Sequence, residues 1–182
     1  SMTIAGLENA LINLDCNRKG VNSVSYIMGQ PLESTISNGI VIGDVSMDEL
    51  LGIVKQHVAN GCKRIKLKVS PRDGYERTRL VRDAYPALAL AVDANQSYTY
   101  DQLDMVAAYN DLHLLCIEEP FSMTNLTTYK AWKESLPKWP ITTSICLDES
   151  ILSYDDLSYA IEYRLIDVLN VKVGRLGGLI QT

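Results

Sequence analysis

The sequence predicts an α/β protein of six parallel strands joined by crossover helices and curved into a partial (β/α) barrel of the TIM type. Three observations carry that expectation. Apolar, β-rich runs alternate with helical patterns along the chain, which is the signature of parallel strands with right-handed crossovers. Several of those runs are almost continuously apolar, as in sheets covered on both faces. The first run ends Val41-Ile42-Gly43-Asp44-Val45-Ser46, without the G-x-G-x-x-G turn that a doubly wound nucleotide-binding sheet places there. A full barrel takes about 250 residues and this chain has 182. Six of the eight βα units are therefore expected, with the last units missing.

The elements follow in order. Leu7, Ala10, Leu11 and Leu14 recur at helical spacing, which predicts a helix from Ile4 to Asn17. A loop then runs to Pro31, and Ile36–Ile42 reads as the first strand. Ser46 with Glu49 three residues on has capping-box spacing. Leu50, Leu51, Ile53, Val54 and Val58 form the apolar face of the helix that starts there, and Gly61 is its stop. Further strands are expected at Arg64–Val69, Leu88–Val92, His113–Ile117, Ile141–Leu147 and Ile166–Val173. Helices lie between them at Gly74–Tyr85, Tyr100–Tyr109, Asn125–Ser135 and Tyr154–Tyr163, with Asp73, Thr99, Thr124 and Ser153 as their N-caps. Residues 1–33 form a helix and loop that precede the barrel, and 34–182 form the barrel itself.

Composition excludes several classes of protein. Apolar residues make up 47% and charged residues 21%, which is globular rather than disordered composition. A net charge of −5 from 17 basic and 22 acidic residues, with no basic block, argues against nucleic-acid or membrane partners. No apolar run reaches the roughly 20 residues of a bilayer span. The N-terminus lacks signal-peptide character, and Ser1 before Met2 reads as the remnant of a cleaved tag. Cys16, Cys62, Cys116 and Cys146 form no C-x-x-C pair and are expected as buried free thiols of a cytoplasmic protein.

Charged residues fall where a barrel does its chemistry. Lys66-x-Lys68, Asp93-x-Asn95, Glu118-Glu119-Pro120, Asp148-Glu149-Ser150 and Asn170-x-Lys172 each stand at the C-terminal end of a predicted strand. That end is the catalytic face of such barrels. Three carboxylates on adjacent strands repel one another unless a cation joins them. Oxygen ligands favour Mg²⁺ or Mn²⁺ over zinc, and the two histidines, His57 and His113, are expected to be structural or exposed. A lysine on either side of such an ion suggests proton transfer next to a small-molecule carboxylate substrate, whose developing charge the metal stabilises. Lys66, two residues from Lys68 on the same strand face, is expected to help Lys68 shed its proton.

In this order on successive strands, K-x-K, D-x-N, E-E-P, D-E-S and N-x-K-x-G-R-x-G-G resemble the enolase superfamily. The likeness is nearest to the muconate-lactonizing subgroup that includes o-succinylbenzoate synthases and N-succinylamino acid racemases. The resemblance implies Asp93, Glu118 and Asp148 as ligands of Mg²⁺ or Mn²⁺ and Lys68 as the base. It implies Lys172 as the opposite acid/base or an enolate-stabilising cation, Lys66 as support for Lys68, and Asn95 and Glu149 as supporting residues. It also implies an N-terminal capping domain and seventh and eighth βα units, which are not expected within these 182 residues. The activity implied is a lyase step of menaquinone biosynthesis or a racemization. A dipeptide epimerase or cycloisomerase and an inactive metal-binding or self-assembling relative stand as alternatives. An open sheet with two edges predicts a homo-oligomer.

Overall fold

The computed structural model describes residues 2–31, 38–180 and 182. They fall into two compact units, Ser1–Ser37 with Val171–Thr182, and Asn38–Asn170. The boundary expected between residues 33 and 34, and the first residues of the predicted strand Ile36–Ile42, lie outside the described residues.

The larger unit holds a six-stranded parallel sheet, β1 (Gly39–Ile42), β2 (Arg64–Lys68), β3 (Ala89–Asp93), β4 (Ile117–Glu118), β5 (Ile145–Leu147) and β6 (Val168–Leu169). The strands lie side by side in chain order. Every crossover therefore advances one strand in the same direction, which is barrel winding; a doubly wound sheet reverses at its switch point. Between the strands run α3 (Met47–Ala59), α4 (Gly74–Ala84), α5 (Leu103–Ala107), α6 (Leu126–Ser135) and α7 (Tyr154–Glu162). Side chains alternate across each strand. On β2, Ile65 and Leu67 are fully buried, while Lys66 borders a cavity of about 490 Å³ with Val41, Ala91, Glu118, Cys146 and Asn170.

Local chemistry explains where the helices begin. Ser46 and Glu49 form the expected capping box, and Gly61, just past α3, takes the left-handed φ of 85° that favours glycine. Ser153 accepts from the Asp156 N–H at 3.1 Å. One expected cap is corrected, and a second, Asp73, holds its N-cap position without the capping bond. Asn125, not Thr124, caps α6 by accepting from Thr128 N at 2.8 Å; its flat amide reaches the N3 position. Asp73 precedes α4 without a side-chain capping bond, lying 3.5 Å from Arg72 instead. The expected helix Tyr100–Tyr109 is α5 with 3₁₀ turns at either end, Tyr100–Gln102 and Ala108–Leu112.

The strands are shorter than the apolar runs. His113 takes a left-handed φ of 48° to end the 3₁₀ turn before it, so β4 starts only at Ile117. The run Ile166–Val173 likewise divides, with Val173 opening a short helix. All four cysteines are free, and Cys62 and Cys116 are only half-buried.

The smaller unit contains α1 (Met2–Lys19), α2 (Ser23–Met28) and α8 (Val173–Leu176), with α1 packed on α8. α2 falls where the sequence predicts a loop; Asn22 caps it by accepting from Val24 N at 2.9 Å and Ser25 N at 3.3 Å. The apolar stripe of α1 is not buried, for Leu7, Leu11 and Leu14 are all exposed.

Gly74 tests the packing at the start of α4. A Cβ there would meet Tyr109 Oη at 2.5 Å and Val69 Cβ at 2.8 Å, inside van der Waals contact. Gly74→Ala is expected to destabilise the chain by roughly 1–3 kcal/mol, read from urea denaturation, despite the better helix propensity of alanine.

Candidate active site

The strand ends of the larger unit bring the charged residues into one row. Register places Lys68 opposite Asp93, Asp93 opposite Glu118 and Glu118 opposite Cys146, two residues before Asp148. Asp93, Glu118 and Asp148 are 2%, 4% and 1% exposed. Buried carboxylates require compensation, and for Asp93 and Glu118 lysines provide it. Lys66 Nζ lies 2.8 Å from Glu118 Oε2 and 3.5 Å from Asp93 Oδ2. Lys68 Nζ lies 2.6 Å from Asp93 Oδ2 and donates to Asn95 Oδ1 at 2.5 Å. Asn170 Nδ2 donates to Glu118 Oε1 at 2.8 Å, a contact the sequence reading did not assign. Burial works against the Lys66 ammonium, but Glu118 and Asp93 outweigh it and hold its pKa above the ordinary lysine value. Lys66 is thus a lasting cation beside Lys68.

The loops beyond the strands support this row. Asn95 N donates to Asp93 Oδ1 at 3.0 Å, and Asn95 Nδ2 donates to Glu149 Oε1 at 3.0 Å. Asn95, Gln96 and Glu119 adopt left-handed φ values of 44°, 60° and 42°, a conformation that non-glycine residues hold mainly where surroundings impose it. Glu119 is 0% exposed, and its oxygens accept from Asp148 N, Ser150 N, Ser150 Oγ and Gln96 Nε2. Sequence reasoning gave Glu119, Gln96 and Ser150 no role. The adjacent glutamates of E-E-P carried the only available signal, and the resemblance that makes Glu118 a ligand leaves Glu119 without a task. Lys172 belongs to the smaller unit, as the residue before α8.

Among the described residues, no three His, Cys, Asp or Glu side chains are drawn together as a finished cation cage. The expectation that three carboxylates converge on one point is thereby revised to three buried carboxylates in a row, two of them turned toward lysines. The donor set still suits a hard divalent cation. All three carboxylates are buried oxygen donors, and the buried Oε2 of Glu149, whose other oxygen meets Asn95, has no partner.

Residues 49–182 match the family model described as enolase C-terminal domain-like. The chain belongs to the enolase superfamily. Its enzyme relatives include an o-succinylbenzoate synthase of Bacillus subtilis, 32% identical over 98% of this chain and 46% of the relative. An N-succinylamino acid racemase of Thermus thermophilus is 36% identical over 82% of this chain and 38% of the relative. The chain thus spans about half the length of the curated relatives it matches. A superfamily member of solved structure from Enterococcus faecalis superposes with a TM-score of 0.84 at 30% identity, over 98% of this chain and 47% of that one. A dipeptide epimerase from Methylococcus capsulatus, complexed with Mg, superposes with a TM-score of 0.75 at 26% identity, over 98% and 51%. This partial cover agrees with a partial barrel. No helix among the described residues is long and apolar enough to cross a membrane.

Proposed function

We propose that this enolase-superfamily chain supplies the catalytic strands of an enzyme that abstracts the proton α to a substrate carboxylate, most like o-succinylbenzoate synthase. The observation that supports this most directly is the pairing of Lys66 and Lys68 with the buried Asp93 and Glu118 across three adjacent strand ends. Asp93, Glu118 and Asp148 would hold Mg²⁺ or Mn²⁺. Once bound, such an ion offsets the negative charge that develops on the substrate carboxylate. Lys68 takes the α-proton on Nζ, and Lys66 remains charged beside it. Asn95 orients both Lys68 and the Asp93 carboxylate through its side chain and backbone. By the family resemblance, Lys172 would act as second acid/base in a racemization or as a stabilising cation in a dehydration.

Titration calorimetry with Mg²⁺ and Mn²⁺ tests the ligand set. The chain is expected to bind the ion, and Asp148→Ala to weaken binding at least about tenfold. Equal binding by the variant, or none by the wild type at millimolar metal, overturns the assignment. Turnover of o-succinylbenzoate synthase substrate, N-succinylamino acid and dipeptide by a full-length protein then fixes the reaction. We also propose a homo-oligomer, supported by the exposed Leu7, Leu11 and Leu14 of α1; sedimentation as a monomer would refute it.

A further inference from the structure

We propose that Glu119 is the positioning residue for Asp148. Its carboxylate clasps the loop after β5 and so holds Asp148 at the strand end. The inference rests on the reading of Asp148 as a cation ligand, and it assigns a task to a buried charge that the proton transfer does not use.

Glu119 is wholly buried, and among the described residues it makes no ion pair. Four neutral donors take the place of a cation. Oε1 accepts from the backbone N–H of Asp148 and of Ser150, both at 2.7 Å. Oε2 accepts from Ser150 Oγ at 2.7 Å and Gln96 Nε2 at 3.1 Å. The backbone adds two more ties, Gln96 N to Glu119 O at 2.7 Å and Glu119 N to Cys146 O at 2.9 Å. The loops after β3, β4 and β5 thus meet on one carboxylate. Charge-assisted bonds of this kind are about twice as strong as neutral ones, and the two at Oε1 fix the backbone on either side of Glu149. β4 ends at Glu118, and the left-handed turn at Glu119 swings the next side chain away, so Glu118 is left to Lys66 and Asn170 while Glu119 is committed to the loops. A carboxylate that holds a ligand's backbone, without touching the cation, typically changes metal affinity 10–100-fold when lost.

The test is Mn²⁺ calorimetry on the wild type, Glu119→Ala, Glu119→Gln and Asp148→Ala, with amide hydrogen exchange followed at residues 148–150. Glu119→Ala is expected to weaken Mn²⁺ binding about 10–100-fold and to speed exchange at the Asp148 and Ser150 amides. Glu119→Gln should restore both, because its amide oxygen keeps the two N–H bonds while the Ser150 hydroxyl and the Gln96 amide reorient. Wild-type affinity in Glu119→Ala, or a Gln variant as weak as the Ala variant, overturns the proposal. If Glu119→Ala does not fold, Gln96→Ala/Ser150→Ala strips both donors from Oε2; weaker binding then supports the clasp and unchanged binding overturns it. If the wild type binds no Mn²⁺, or Asp148→Ala binds it equally well, the cation reading fails separately. Amide exchange then decides the clasp, which is overturned if the Asp148 and Ser150 amides stay protected in the variant used.

Discussion

Replacing Lys68 with alanine in a full-length context is expected to lower turnover by about 10²–10⁴-fold or more while leaving divalent-cation binding in place. Lys68 Nζ lies 2.6 Å from Asp93 and 2.5 Å from Asn95, so its removal takes the amine that would accept the proton from the site and no oxygen ligand. Asp93 keeps Lys66 as a neighbour at 3.5 Å. Lys68→Arg separates chemistry from charge. Arginine retains the positive charge and can still pair with Asp93, yet it does not give up its proton at accessible pH. Both variants should therefore be inactive, with calorimetric Mg²⁺ affinity near wild type. An arginine variant with turnover within about tenfold of wild type would mean that Lys68 acts as a fixed cation and not as the base.

Phe121→Ala is expected to cost about 3–5 kcal/mol of stability, which for a chain of this size corresponds to a fall in melting temperature of roughly 6–20 °C. Phe121 is fully buried. Its ring centroid lies 4.9 Å from that of Trp132, 6.0 Å from Tyr100, 6.3 Å from Tyr129 and 6.4 Å from Trp139. Few core positions in this fold serve so many large neighbours, and a cavity there cannot close without moving several rings. Phe121 also bridges Tyr98 in parallel pairing, directly after Glu119-Pro120, so the substitution should loosen the E-E-P loop as well as the core. Thermal and urea denaturation followed by tryptophan fluorescence read the effect; a loss below about 1 kcal/mol would show that the aromatic cluster closes around the gap.

Much of the site was legible before folding was considered. Parallel βα alternation puts loop residues after each strand on one face, so K-x-K, D-x-N, E-E-P and D-E-S needed only strand ends to be located. Errors of a residue or two in those ends did no harm. The strand expected at Leu88–Val92 is Ala89–Asp93, and Asp93 stands at its C-terminal end either way. Errors of topology within short segments were of another kind. Asn22 capping a six-residue helix, or His113 turning left-handed before β4, depends on which local hydrogen bonds win once tertiary contacts have been made. Apolar runs such as Ile166–Val173 carry no mark of where extended chain gives way to helix.

By itself the sequence determined the fold class and the order of the strands and offered a candidate set of residues for the chemistry, because side-chain period and strand-end position are properties of local chain geometry. Only the tertiary structure decided how neighbouring charges divide their work. It turns Glu118 to Lys66 and Asn170 and commits Glu119 to the amides of Asp148 and Ser150. Two adjacent glutamates are chemically identical in the sequence. They become different when the strand ends at Glu118 and a left-handed turn at Glu119 brings the second of them against the donors of the neighbouring loops.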